Sequence, residues 1–362
     1  MSIEIRLLKK GEEEEVNRLY NLLNKHQRSE SVFEWEFNAC PYGEALYVIA
    51  YDTTQNKIVG TQAAIPIELI SSSGEKMMTA KSEDTLLDPA YRGKGLFDQM
   101  YQLLFKVCKE KKIKYIWGFT YAKKPFLKVG FEIPFDAMSG VFAINIFQSY
   151  KYLSGLNPQN KFLDKFKIFG LSVMSYLNTI KQGFAGTQLS EKLSCRLNFE
   201  FDRNEFLQQA LHNQEKKMWT ISLADEYIDW RYKKNPYPNN YSFISGLKDQ
   251  NVISEAIINS RNDGYAYIEQ IFFSSESDPG AKKAIINEAI KNIRLKKSFL
   301  IRFWGFRNNK LNSEQIDFLK KCGFIFVKKG TSFVWKRLTD DKSELILPEQ
   351  LLMSRSFAQG DI

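Results

Sequence analysis

The stretch LLDPAYRGKGLF, residues 86–97, decides how this chain reads. An apolar run ends at Asp88-Pro89. Two glycines one residue apart follow, interleaved with Arg92 and Lys94, and an amphipathic pattern starts at Leu96. A helix N-terminus leaves backbone N–H groups unpaired and carries a partial positive charge, so it receives anions wherever the backbone can come close. Gly93 and Gly95 remove the side chains that would block that approach and permit positive φ, while Arg92 and Lys94 add formal charge. The stretch therefore predicts a site for a diphosphate. It is not a P-loop, because no Ser or Thr follows a Gly-Lys, and it lacks the three spaced glycines of a dinucleotide fingerprint.

Working outward, the run LFDQMYQLLFKVCKEKK places Leu96, Met100, Leu103, Leu104 and Val107 on one helical face, with lysines at the C-terminal end where the helix dipole favours them. An apolar strand, YIWGF, follows, then a short helical segment and a closing Gly130-Phe131. Upstream, Val16, Leu19, Leu22 and Leu23 recur at helical spacing, and two strands joined by turn residues lead to a third, SEDTLL (82–87). The order is β-α-β-β-β-α-β-α-β.

The chain says nearly the same thing twice. FEWEFNACPYG (33–43) resembles YIDWRYKKNPYP (227–238), which aligns Trp35 with Trp230, and NKIVGTQAAI (56–65) resembles NVISEAIINS (251–260). Asp88-Pro89 matches Asp278-Pro279, IWGF (116–119) matches FWGF (303–306), and FLKVGF matches FLKKCGF. Five landmarks recur in one order at offsets of 187 to 195 residues, the signature of a duplicated unit. The second copy lacks the glycine loop, since SDPGAKKA (277–284) offers only Gly280. The organisation expected is a first domain over 1–140, a helical connector over 141–190, a degenerate second domain over 191–340 and a tail over 341–362. The paired tryptophans, Trp117 and Trp304 included, read as repeated core, with an aromatic platform for an acceptor as the alternative for Trp35.

Composition bounds the rest. With 362 residues, 44% of them hydrophobic, the chain can bury a large core, and only the last dozen or so residues have a composition that fits disorder. The net charge of +9 favours acidic partners, but the lysines lie in scattered short clusters, so nucleic acid is not expected. Four cysteines stand far apart with no CxxC pair and only two histidines accompany them, which argues against a metal site and a His-based triad. The N-terminal run has no apolar core of a signal peptide, and a cytoplasmic location is expected. The segment 161–184 is amphipathic with a lysine-rich polar face, suited either to packing across the two domains or to peripheral contact with an anionic membrane. Oligomeric state is not legible.

Strand, Asp-Pro-x-Tyr-Arg-Gly-Lys-Gly, apolar helix, strand and a terminal KVGFE resemble the GNAT superfamily of N-acyltransferases. The resemblance covers most of residues 1–140, and the repeat extends it to a tandem GNAT protein, a mixed α/β fold of the kind met in bacterial sugar and glycan pathways. It departs from the family pattern at Ala90, where Gln or Arg is usual. What it implies is an acyl-CoA, expected to be acetyl-CoA, held through its pyrophosphate by Arg92, Gly93, Lys94, Gly95 and the helix start at Leu96 and Phe97. The strand before the loop splays from its neighbour, so that backbone groups near Leu86 and Leu87 meet the pantetheine arm. The acceptor implied is a primary amine of a small molecule, an amino sugar or nucleotide-linked amino sugar in the first instance. Analogy makes Glu83 the first choice of general base and Asp84 the second. Strict alternation puts Glu83, Thr85 and Leu87 on one side and Asp84 and Leu86 on the other. The position where many relatives carry an acidic Tyr is Phe126, and Tyr121 is the candidate substitute. Two further readings stand beside this one: a Fem-type aminoacyl-tRNA-dependent transferase, and a binding protein of the same fold without turnover.

Overall fold

The computed structural model describes residues 2–24, 27–155, 168–177, 193–198, 200–212, 214, 216–327, 330–341 and 345–358. The first half runs β1 (Ile3–Leu7), α1 (Glu13–Leu23), α2 (Glu30–Phe33), β2 (Leu46–Asp52), β3 (Lys57–Ser71), β4 (Lys76–Leu87), α3 (Leu96–Glu110), β5 (Tyr115–Thr120), α4 (Lys123–Lys128) and β6 (Glu132–Asp136). β7 (Met138–Ala143), α5 (Ile146–Gly155) and a further helix, α6 (168–177), lead to the second half. That half repeats the order as β8 (Leu193–Leu197), α7 (Arg203–Leu211), β9 (Trp219–Ile221), α8 (Asp225–Ile228), β10 (Tyr241–Lys248), β11 (Asn251–Ser260), β12 (Tyr265–Phe273), α9 (Pro279–Leu295), β13 (Leu300–Gly305), α10 (Lys310–Lys321), β14 (Ile325–Val327) and β15 (Ser332–Arg337). The mixed α/β architecture expected from the duplicated pattern is the one observed.

Two mixed sheets result, and they trade a strand. The first has the order β1-β2-β3-β4-β5-β15-β6, with β9 on β3; the second has β14-β7-β13-β12-β11-β10-β8. β15 fills the gap between β5 and β6 of the first sheet, while β7, which follows β6 after the single residue Ala137, fills the gap between β13 and β14 of the second. One residue is too few for a hairpin back into the same sheet, so the chain runs on into the other. The two crossing links touch: the Ala137 N–H donates to the Thr331 carbonyl at 2.9 Å, and a Cβ on Gly330 would overlap the Ala137 carbonyl. The boundary expected at 140 falls inside β7.

Where the halves meet, α2 and α8 each continue into one π-helical turn, Glu34–Asn38 and Asp229–Lys233. Trp35 and Trp230 stack there at 5.5 Å, and each indole N–H donates to the other's backbone carbonyl at 2.7 Å. Both are buried, so Trp35 is core and offers no aromatic face to an acceptor. The segment 345–358 is not a loose tail. Leu351, Met353 and Phe357 are buried, with Phe357 against Trp117 at 5.1 Å, because this stretch carries apolar side chains that the gap between the sheets accepts. Of the amphipathic stretch 161–184, only 168–177 lies within the described residues, and Met174 and Leu177 are exposed on it. Among the described residues no helix is long and apolar enough to cross a membrane, and no group of three or more His, Cys, Asp or Glu could hold a metal ion.

Candidate active site

The glycine loop is built as its residues dictate. Pro89–Tyr91 form a tight 3-10 turn, with the Asp88 carboxylate accepting from the Ala90 N–H at 2.9 Å. Tyr91 is buried and its hydroxyl donates to Asp52 at 2.7 Å, which anchors the loop to β2. Gly93 and Gly95 both take left-handed φ, +78° and +73°, and Arg92 to Gly95 are all exposed. α3 starts at Leu96 with no side-chain cap on its first turn. Lys94 sits over the Tyr91 ring at 4.9 Å. A bare, glycine-lined helix start with open space in front of it is the geometry that receives an anion through backbone N–H groups.

The corresponding helix of the second half is closed. α9 begins at Pro279, directly after Asp278, whose carboxylate accepts from the Ala281 N–H at 2.7 Å. The side chain occupies the position an anion would take, and the Arg-Gly-Lys-Gly insertion that holds the loop away from α3 has no counterpart.

β4 and β5 part just before the loop. Their parallel pairing consists of Ala80 with Ile116 and Lys81 with Trp117, and beyond these the two strands diverge. Gly118 marks the last close approach, since a Cβ there would lie 2.9 Å from the Ser82 carbonyl oxygen. Beyond the split β4 also carries a bulge. Ala63 pairs with Glu83 but Thr61 pairs with Leu86, and Asp84 takes φ +51°. The bulge shifts the phase of the strand, so Glu83 shares its face with Leu86 and not with Leu87 as strict alternation requires.

Asp84 is held on every side. Arg28 donates to its carboxylate at 2.8 Å, the Tyr47 hydroxyl donates to the same oxygen, and the Thr61 hydroxyl donates to the Asp84 carbonyl at 2.8 Å. Arg28 in turn donates to Asn17 at 2.7 Å and stacks on the Tyr20 ring at 4.1 Å. A carboxylate so committed fixes the bulge. Glu83 is a quarter exposed and pairs with Lys81, which is buried. Glu36, from the π turn after α2, lies buried beside them: burial first, and the Glu83 carboxylate second, push its carboxyl up to about 8. Burial also draws the Lys81 ammonium down, against the pull of Glu83 and Glu36. Sequence reasoning found Glu83 and Asp84 but missed Lys81, two residues earlier on the same strand, and Arg28, Tyr47 and Glu36, which reach this point from distant segments. One signal was available for Glu36: the matched position beside the other tryptophan is Arg231, a reversal of charge inside a repeat.

The other candidates separate. Tyr121 is 76% exposed in the turn after β5. Phe126 is buried on α4 against Phe97 and Tyr101, with ring centroids 5.6 and 5.7 Å away. Near the split the structure supplies a different hydroxyl, that of buried Tyr101, within 2.8 Å of Ser82 Oγ. Burial raises this phenol well above its ordinary range. Leu86 and Leu87 lie on the divergent end of β4, and Leu96 and Phe97 begin α3, so all the residues expected to contact the donor line one loop and its two flanking elements.

Splayed strands, a bulged β4 and an open glycine loop before a helix together decide the fold. It is the GNAT fold, in tandem. Residues 4–133 match the family model described as an acetyltransferase (GNAT) domain. No curated protein matches the chain by sequence. Among solved structures, the chain is similar to a probable N-acyltransferase from Enterococcus faecalis V583 (TM-score 0.60, 11% identity, 93% of this chain and 73% of that one). It is also similar to a tandem GNAT protein from the clavulanic acid biosynthesis pathway (0.53, 10%, 94% and 100%). A third is Saccharomyces cerevisiae N-myristoyltransferase with bound myristoyl-CoA and inhibitors (0.56, 13%, 92% and 80%). At these identities the GNAT likeness is one of fold.

Proposed function

We propose that this protein is an acyl-CoA-dependent N-acyltransferase. Its first half binds the donor, acetyl-CoA in the simplest case, and the acceptor is the primary amine of a small molecule, with an amino sugar as the class suggested by the resemblance to sugar-pathway N-acyltransferases. The observation that carries the reading is the uncapped start of α3 behind Gly93 and Gly95, next to the split between β4 and β5. The pyrophosphate meets the loop amides together with Arg92 and Lys94, and the pantetheine arm follows the free edge of β4 at Leu86 and Leu87. The thioester then reaches the split, with Glu83 on the face toward the second half. Holding amine and thioester in register there removes much of the entropic barrier to aminolysis. Backbone N–H groups at the bulge are suited to stabilise the tetrahedral oxyanion. Phe126 cannot donate a proton, so CoA leaves as a thiolate without help from that position.

The intact loop weighs against an aminoacyl-tRNA donor, which needs no pyrophosphate cradle of this kind. Isothermal titration with acetyl-CoA tests the proposal. Binding is expected for the native chain, with affinity at least about tenfold weaker in Gly95→Val, because a β-branched residue resists the left-handed conformation by roughly 1–2 kcal/mol and shields the amides. No binding by the native chain, or undiminished binding by the variant, refutes it.

A further inference from the structure

The helix α6, between the two halves, is turned inside out. Ser172 and Ser175 on it are buried, and the Ser175 hydroxyl accepts from the Ala143 N–H, at the end of β7, at 2.7 Å. With a residue every 100° of turn, Phe169, Met174 and Leu177 fall on the other side of the helix, and they are 39%, 61% and 51% exposed. A helix packed on a protein core shows the reverse, with its apolar stripe inward and its polar face in water. The orientation is fixed, because rolling the apolar side inward gives up the bond that ties Ser175 to β7.

The neighbouring helix α5 extends the same surface. Tyr150 meets Phe169 edge-on with ring centroids 5.5 Å apart, and Phe147, one turn earlier on α5, is 75% exposed. Lys151, also exposed, shares that side of α5. No charged residue occurs within 168–177, but Lys165 and Lys167 come just before it in the sequence and Lys181 soon after, against one acidic residue, Asp164, in the whole of 161–184. The result is an apolar patch in a basic stretch of chain.

We propose that this face docks the protein on an anionic lipid bilayer. Phe147, Phe169, Met174 and Leu177 enter the boundary between headgroups and acyl chains, and the lysines of the stretch meet the lipid phosphates. The helix lies along the interface, since it is neither long nor apolar enough to cross. Charge selects this occupant over a second copy of the chain. A contact between two copies brings the same basic stretch against itself in a protein of net charge +9, whereas an anionic surface attracts it. The proposal is independent of the N-acyltransferase reading, because none of these residues lies at the glycine loop or the strand split.

The test uses the full chain and two kinds of vesicle, phosphatidylcholine alone and phosphatidylcholine mixed with an equal part of phosphatidylglycerol. Co-sedimentation is expected with the mixed vesicles at low salt and not with phosphatidylcholine alone, and salt at about 0.5 M should weaken it severalfold by screening the lysines. Met174→Asp combined with Leu177→Asp should cut binding at least about tenfold, because two side chains that enter the bilayer become charges that its surface repels. Thermal melting should stay native, since both positions face solvent. A second variant locates the contact. All six native tryptophans are buried, so the indole introduced by Met174→Trp reports on the patch, and mixed vesicles with brominated acyl chains should quench it while leaving native fluorescence unchanged. No binding to mixed vesicles, equal binding to both kinds, undiminished binding by the double variant, or an introduced indole that escapes quenching overturns the proposal. So does a native dimer that the double variant dissociates, which assigns the face to a second copy.

Discussion

Asp84 combines a left-handed backbone with a buried carboxylate, and each explains the other. Asp is among the few residues that tolerate φ near +50°, and its side chain at that point meets Arg28 and Tyr47. Arg28→Met removes one partner of a buried ion pair and is expected to cost about 3–5 kcal/mol in urea unfolding. Adding Asp84→Asn should recover part of that loss, since the unpaired charge goes with it. Glu36 gives a second prediction at this scale. Its carboxyl is raised from an ordinary value near 4.5 to about 8, so the folded chain holds a proton that the unfolded chain releases. The stability this contributes is complete below the unfolded value and is lost as pH rises through the folded one. Glu36→Gln should therefore melt several degrees above the native chain at pH 9 and close to it at pH 5, as followed by calorimetry. Glu255, raised to about 7 chiefly by burial, drifts the same way in both proteins. At this scale the loop residues were legible because glycine, arginine and lysine act there through local backbone geometry. Arg28, Lys81 and Glu36 were not, because their meaning depends on segments that only the fold brings together.

Among the elements, α3 and β4 were readable from periodicity and from the Asp-Pro stop, and the bulge was not, because one extra residue leaves the apolar pattern nearly intact. It changes which side chains look toward the second half. The exchange of β7 and β15 was also hidden, although the sequence held a hint in the lone residue between β6 and β7. Trp335 shows how firmly β15 is installed: it pairs with Trp117 across the strands and stacks on Tyr115 at 4.4 Å. Trp335→Ala is expected to destabilise the protein by about 3–5 kcal/mol. Gly330→Val should act at the crossing itself, by forcing its side chain into the Ala137 backbone. Both effects are measurable by chemical denaturation, and an unchanged midpoint in Gly330→Val would mean that the links are not in close contact.

For the whole molecule, duplication was legible from five landmarks, but duplication alone does not tell independent domains from interlocked ones. The reciprocal strands and the tryptophan pair make each half a part of the other's core. Residues 1–155 produced alone are expected to lack a compact monomeric fold, because the slot between β5 and β6 stays empty and β7 has no partner. Mixing them with residues 193–362 should restore dispersed methyl signals in NMR spectra. Two separately folded halves would contradict the interlock.

The exchanged strand also sets a clock on biosynthesis. Trp117 must wait about two hundred residues for Trp335, an interval of roughly 10–40 s at ordinary translation rates. Until β15 leaves the ribosome, β5 presents a naked apolar margin, so the nascent chain is an obvious client for holding chaperones. The glycine loop meanwhile stands on an incomplete sheet, and the first sheet closes only when β15 has been made.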